Sequence, residues 1–199
     1  MNTGFLVNLV ILLFAHLLGD FVIRFRWLRK RKRTFTGLLV HSLIHASLAY
    51  VLVSAWTMWF VPLAIGVSHM LIDLGKLRAH SRSLWLFLLD QVLHGIVLII
   101  LAFFLVREGA VLPFWYAWQP SLLWSILVVA CAFLLLVPCG GTLIGGLMAP
   151  YQEQIDQAYA AGTPAAPGQI KKPVKGLVEG GTIIGYLERL LILVFILVN

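Results

Sequence analysis

The chain is predicted to be an all-α, polytopic transmembrane helix bundle of about six spans with its N-terminus outside. Three observations predict the class. Of 199 residues, 61% are hydrophobic and only 12% are charged, against roughly 25% charged in a soluble domain. Mean hydropathy is +0.96. The apolar runs are long and continuous, about 20 residues each, the length that crosses a hydrocarbon core of about 30 Å. They lack the short alternating pattern of an outer-membrane barrel. About six spans use up most of the chain, so residues 1–199 are expected to form a single integral membrane domain.

The first helix is expected from about Phe5 to Arg24, an apolar run that ends in charge. A basic loop follows to Thr34, and seven of the fifteen Lys/Arg lie between Arg24 and Arg33. The second helix covers roughly Phe35 to Trp56. Trp56, Trp59 and Phe60, with Pro62 beside them, form an aromatic belt of the kind found at membrane–water boundaries. The third helix runs from about Val61 to Lys76, and Arg78, His80 and Arg82 mark a second basic turn. The fourth spans about Leu84 to Val106. Arg107 to Pro120 is a Trp/Tyr-rich interfacial connection, and the fifth helix covers about Ser121 to Met148. Residues 150–176 turn to Pro, Ala, Gly and Gln and close on Lys171, Lys172 and Lys175, which predicts one long polar loop. The last helix is expected from about Val178 to Asn199. Gly141/Gly145 and Gly181/Gly185 are spaced as GxxxG, which permits close helix approach and offers a homo-oligomer face.

The basic loops set the sides. Residues 24–34, 76–82 and 171–175 hold 13 of the 15 Lys/Arg, and six spans allow all three segments to be cytoplasmic. The polar loop at 150–176 is then cytoplasmic as well. The net charge of +7 therefore points to anionic lipid headgroups, with no nucleic-acid partner expected. Cys131 and Cys139 are about 12 Å apart along one helix, too far for a bridge within it, and read as small core residues. The first apolar run has no basic n-region before it, so no signal-peptide pattern is present.

Against this apolar background stand eight ionisable residues in four i,i+4 pairs: His16/Asp20, His41/His45, His69/Asp73 and Asp90/His94. They include five of the six histidines and every Asp before residue 100. Each pair projects from one face of its helix. An Asp at the centre of a membrane helix costs about 2.5–3.5 kcal/mol on insertion scales. Asp20 and Asp73 lie just before basic segments, and His41 and Asp90 follow soon after them. All four pairs therefore share a depth, in the cytoplasmic half of the bundle.

Imidazole and carboxylate at this density suggest a metal, zinc above all. His16, His41, His45, His69, Asp73, Asp90 and His94 are the candidate ligands, for one ion or for two bridged by a carboxylate. Water on such an ion would be a nucleophile facing the cytosolic leaflet. Asp20, Asp73 and Asp90 could complete the ligand set or orient the histidines, and one left uncoordinated would serve as the catalytic base. HxxxH at 41–45 repeats the helical step of HExxH zinc proteases without the Glu, so a soluble protease of that type is not implied. Lys76 reads as a snorkelling cation that can neutralise Asp73 or grip a substrate phosphate. Ser42, Ser68 and Gln91 are candidate outer donors to the ligands. Glu188, beside Arg189 in the last helix, is a candidate contributor to the layer.

The phrases His16-Leu-Leu-Gly-Asp20-Phe, His41-xxx-His45, Ser68-His69-xxx-Asp73-xx-Lys76 and Asp90-Gln91-xx-His94 resemble an uncharacterised bacterial integral-membrane family, domain of unknown function three-three-zero-seven. The run from Gly185 through Glu188 and Arg189 to Leu191 is similar to that family's later motif. The resemblance implies a multi-pass protein of the bacterial inner membrane and no particular activity. In ligand types and the HxxxH step only, the layer is also similar to alkaline ceramidases and adiponectin receptors, membrane hydrolases that hold zinc near the cytosolic side.

Three functions remain open from sequence. One is a metal-dependent hydrolase acting on a lipid or lipid-linked substrate from the cytosolic leaflet. The second is a proton- or metal-ion-coupled transporter, which needs a polar path through the outer halves of the helices. The third is a membrane-anchored sensor or interaction module with a structural His/Asp core.

Overall fold

The computed structural model describes residues 3–23, 34–79, 83–109, 112–160 and 175–198. Regular structure among them is entirely helical. Six stretches are long and apolar enough to cross a membrane: Thr3–Val22, Phe35–Val53, Phe60–Arg78, Leu84–Arg107, Pro120–Gln154 and Gly181–Val198. The chain is a helical membrane protein.

The helices are α1 (Thr3–Leu17), α2 (Phe35–Val53), α3 (Phe60–Arg78), α4 (Leu84–Arg107), α5 (Pro120–Leu134), α6 (Gly140–Ala160) and α7 (Lys175–Val198). Two of them run into a wider turn, at Leu18–Val22 after α1 and at Leu135–Cys139 after α5. In the first of these the Ile23 N–H reaches back five residues to the Leu18 carbonyl, at 2.9 Å. A wide turn of this kind inserts one extra residue and re-aims the side chains around it.

Local chemistry explains the helix ends. Thr34 is extended and its hydroxyl accepts from the Gly37 N–H at the start of α2. Ser83 does the same for Leu86 at the start of α4. Caps of this kind stabilise a helix by about 1 kcal/mol. Ser54 closes α2 in the left-handed region at φ 55°, with its hydroxyl on the Val51 carbonyl at 2.8 Å. Trp56, Trp59 and Trp118 are exposed at that end of the bundle and Trp85 at the other, as expected for rings at two membrane interfaces.

The chain divides into two compact units, Met1–Leu134 and Leu135–Asn199. In the first, α1 is central and packs against α2, α4 and α5, while α2 packs on α3 and α3 on α4. Val7, Ile11 and Leu12 of α1 meet Ala49 and Val53 of α2, Val61 and Ile65 of α3, and Leu98, Leu101, Ala102 and Leu105 of α4. This apolar half lies away from the connections after α1 and α3. The Trp115 indole N–H ties the connection after α4 to the Leu52 carbonyl at 2.9 Å. Lipid is as apolar as leucine, so such contacts hold the helices by close packing rather than by the hydrophobic effect.

In the second unit α6 and α7 both pack on the Leu135–Cys139 turn. A Cβ at Gly141 would lie 3.2 Å from the Arg189 guanidinium and from the Tyr186 ring. Arg189 also sits over that ring at 5.3 Å. Gly141 therefore makes room for a half-buried cation, whereas nothing lies within 4 Å of the Cβ position at Gly145 or Gly181. The expected polar loop at 150–176 begins later than its composition suggests. The Tyr151–Ala160 run stays helical and continues α6 past Pro150. Gln, Glu and Ala in that run are good helix formers, and a single proline removes one hydrogen bond without stopping a helix that its neighbours support. Residues 161–174 of that loop, the basic loop at 24–33 and His80 lie outside the described residues.

Candidate metal centre

The wide turn after α1 puts Asp20 at the middle of the first unit. The Nε2 atoms of three histidines on two other helices converge on its Oδ1: His41 at 3.1 Å, His45 at 3.4 Å and His69 at 3.8 Å. The candidate ligand atoms of these four residues all lie within 4.8 Å of one another. All four side chains are buried, His45 and His69 at 1% exposure. A tetrahedral ion with bonds of about 2.0–2.1 Å holds its ligands about 3.3 Å apart. Small side-chain rotations close that difference. Three imidazoles and one carboxylate are a donor set that suits zinc and its neighbours.

The HxxxH step of α2 supplies two ligands from one face. Their rings meet edge-on, with centroids 4.7 Å apart. The His69 ring of α3 lies 3.7 Å from that of His45. Close approach of α1 to α2 needs Gly19, since a Cβ there would fall 2.5–2.9 Å from three atoms of the His45 ring.

The other four members of the pairs surround this group. Asp73 Oδ2 is 3.7 Å from His41 Nε2 and 3.8 Å from His69 Nδ1. His16 Nε2 is 3.7 Å from the other carboxylate oxygen of Asp20. The His94 ring lies 4.2 Å from His69 and 4.8 Å from His16. His94 Nδ1 is 2.8 Å from the Asp90 carbonyl oxygen. A carbonyl only accepts, so Nδ1 carries the proton and the neutral ring keeps its lone pair on Nε2.

Asp90 faces a different partner. Lys76 donates to its Oδ2 at 2.6 Å, and the Gln91 amide spans Asp90 at 3.2 Å and Asp20 at 3.4 Å. A polar chain thus runs from Lys76, whose side chain is 36% exposed, through Asp90 and Gln91 to Asp20. Lys76, expected to snorkel to the interface and able to neutralise Asp73 or grip a phosphate, is part-exposed and pairs with Asp90. Replacing it with Met should destabilise the protein by about 1–3 kcal/mol, because a buried carboxylate loses its cation. Unfolding in detergent would show this, and Asp90→Asn in the same chain should restore most of the loss.

All eight paired residues come together. The group that could hold a metal is narrower than the expected ligand set: Asp20, expected as a base or a completing ligand, lies inside it, while His16, Asp73, Asp90 and His94 border it. Glu188 belongs to the second unit, where its side chain is exposed. Of the expected outer donors, only Gln91 reaches a carboxylate. Ser42 and Ser68 bond to the Leu38 and Ile65 carbonyls of their own helices. Gly19 and the buried Asn8 escaped notice in the sequence. A glycine between Leu18 and Asp20 was the available signal for the first, and a lone amide in an apolar run for the second.

Hydrogen bonding alone does not satisfy the cluster. Among the described residues, neither nitrogen of His69 has a hydrogen-bond partner, nor do His41 Nδ1, His16 Nε2 and His94 Nε2. Each such buried group costs about 1–3 kcal/mol.

The model of the family described as "Protein of unknown function (DUF3307)" matches residues 8–136. The chain belongs to this family. The matched span contains all four pairs, Lys76 and Gln91, and ends before the Gly185–Leu191 run whose likeness to a later family motif was noted above. No curated protein and no solved structure shows a significant match to the chain.

Proposed function

We propose that this is a metal-dependent hydrolase of the bacterial inner membrane, acting on a lipid or lipid-linked substrate from the cytosolic leaflet, with zinc held by Asp20, His41, His45 and His69. The observation that carries the metal is the convergence of three buried imidazole nitrogens on one carboxylate oxygen, beside imidazole nitrogens that lack a hydrogen-bond partner among the described residues. When bound, with water in place of one of the four donors or as a fifth ligand, the ion would supply Lewis-acid polarisation and a nucleophile. Three roles fall to the protein. Asp73, beside His41 and His69, orients those rings and takes up a proton. Gln91 holds the Asp20 carboxylate in place. His16, His45, His69 and His94 line a cavity of about 10 Å³, roughly one water molecule in size.

The membrane orientation follows from the basic loops: the layer opens toward Lys76 and the cytosolic leaflet. Transport is the weaker reading. The apolar packing of Val7, Ile11, Val53, Val61, Leu101 and Leu105 makes up most of the half of the first unit beyond the layer, with Asn8 a polar side chain buried within it.

Untagged protein purified in lipid nanodiscs should carry stoichiometric zinc or a similar ion by elemental analysis. Stripping it with a chelator should lower the melting temperature, since saturation at 100 times Kd contributes about 2.7 kcal/mol. Metal-reloaded protein should cleave an ester or phosphoester in a panel of membrane lipids and lipid-linked substrates, and stripped protein should not. Metal-free protein whose stability ignores chelator sinks the metal centre and favours a structural core. Tight metal with no cleavage but ion flux in proteoliposomes, abolished by Asp73→Asn, sinks the hydrolase in favour of transport.

A further inference from the structure

The layer holds more ligand chemistry than one ion uses. A single tetrahedral ion on Asp20, His41, His45 and His69 is complete with four protein donors. His16 and His94 remain, on α1 and α4, both buried and both with an Nε2 that has no hydrogen-bond partner among the described residues. Their rings lie 4.8 Å apart, tilted by 31°. They line the same small cavity as His45 and His69. The His94 tautomer, set by the Asp90 carbonyl, leaves the Nε2 lone pair available for a metal. The two oxygens of Asp20 also face different ways. Oδ1 meets His41, His45 and His69, while Oδ2 meets His16 at 3.7 Å and Gln91 at 3.4 Å. Asp90 Oδ1 is likewise buried and has no hydrogen-bond partner among the described residues, because Lys76 and Gln91 both take Oδ2.

We infer that the centre is dinuclear. Asp20 bridges two divalent ions, Oδ1 to the first and Oδ2 to the second, and the second ion is held by His16 Nε2 and His94 Nε2. This inference rests on the metal reading proposed above and adds a second site to it. Carboxylate-bridged pairs hold their ions about 3.5–4 Å apart and clamp both the attacking and the leaving oxygen of a displacement. Phosphoesters and other substrates with two oxygens to bind are the class such a pair serves. Lys76, which opens to the surface, holds Asp90 so that one oxygen stays turned inward.

The test counts ions rather than turnover. Untagged protein in nanodiscs is saturated with zinc, dialysed and analysed for metal per chain, and its X-ray absorption spectrum is searched for a metal–metal vector. Wild type should hold about two ions with a vector near about 3.5–4 Å. The His16→Ala/His94→Ala variant should hold about half that content and lose the vector while keeping the first ion. About one ion in wild type, with no vector and no change in the double variant, overturns the second site and leaves the single-ion centre standing. No ion in wild type overturns both. The wild-type count and vector decide the matter even where the variant fails to fold.

Discussion

The His41→Ala/His45→Ala variant is expected to lose the ion held by Asp20, His41, His45 and His69. A single substitution is a weaker test, because His16 and Asp73 lie close enough, at 3.7 Å from Asp20 and from His41 respectively, to compensate with a small rotation. Removing both rings of the HxxxH step takes away two of the four converging donors and leaves Asp20 and His69. Loss of a residue that only orients a ligand weakens metal binding by about 10–100-fold; loss of two direct ligands should exceed that and empty this site after dialysis, leaving at most the ion on His16 and His94. The matched control is Ser42→Ala. Ser42 is as buried as its neighbours, but its hydroxyl serves only the Leu38 carbonyl, so this variant should keep its full complement. Elemental analysis of both, beside wild type, reads the outcome. A double variant whose metal content equals that of wild type excludes the four-residue centre.

Gly19→Ala is expected to have the second-largest effect, and its sign discriminates between two physical arguments. Helix propensity alone favours Ala over Gly by about 1 kcal/mol. Packing argues the reverse. The added Cβ would sit 2.5 Å from His45 Cε1, 2.7 Å from Nε2 and 2.9 Å from Nδ1. No ordinary contact is that short, and the ring is 1% exposed with His41, His69 and His16 around it. Either His45 swings out of the centre or α1 backs away from α2, at a cost of about 1–3 kcal/mol. Metal affinity should fall with stability, because the displaced group is a ligand. Adding His45→Ala should return stability and leave metal binding lost. Unfolding in detergent and metal titration measure the two effects separately; a Gly19→Ala protein as stable as wild type with unaltered affinity would falsify the close approach of the two helices.

Much of the fold was legible because its causes are local. A membrane span is a length of apolar residues, and each of the first four helices lies within a few residues of its expected bounds. The i,i+4 pairing was legible for the same reason, since periodicity places both members on one face whatever the helix packs against. The exceptions are also local in origin. Composition marked 150–176 as loop, yet Tyr151–Ala160 is helical, because Pro150 outweighed the helix formers after it. The wide turn at Leu18–Val22 has no composition signal at all, since a turn with one extra residue uses the same apolar residues as an ordinary one.

What the sequence by itself determined was a helical membrane protein with four polar pairs at one depth, and with donors suited to a metal. Which of the eight form the centre was decided only by tertiary structure. Asp20, one of three carboxylates expected to ligate or act as base, became the common focus of three imidazoles, Lys76 turned to Asp90 rather than Asp73, and Gly19 became the point where the turn after α1 touches α2. These facts depend on how each helix is rotated about its own axis. That rotation is set by packing between residues 21 apart for His41 and Asp20 and 71 apart for Gln91 and Asp20, distances over which no local pattern reaches.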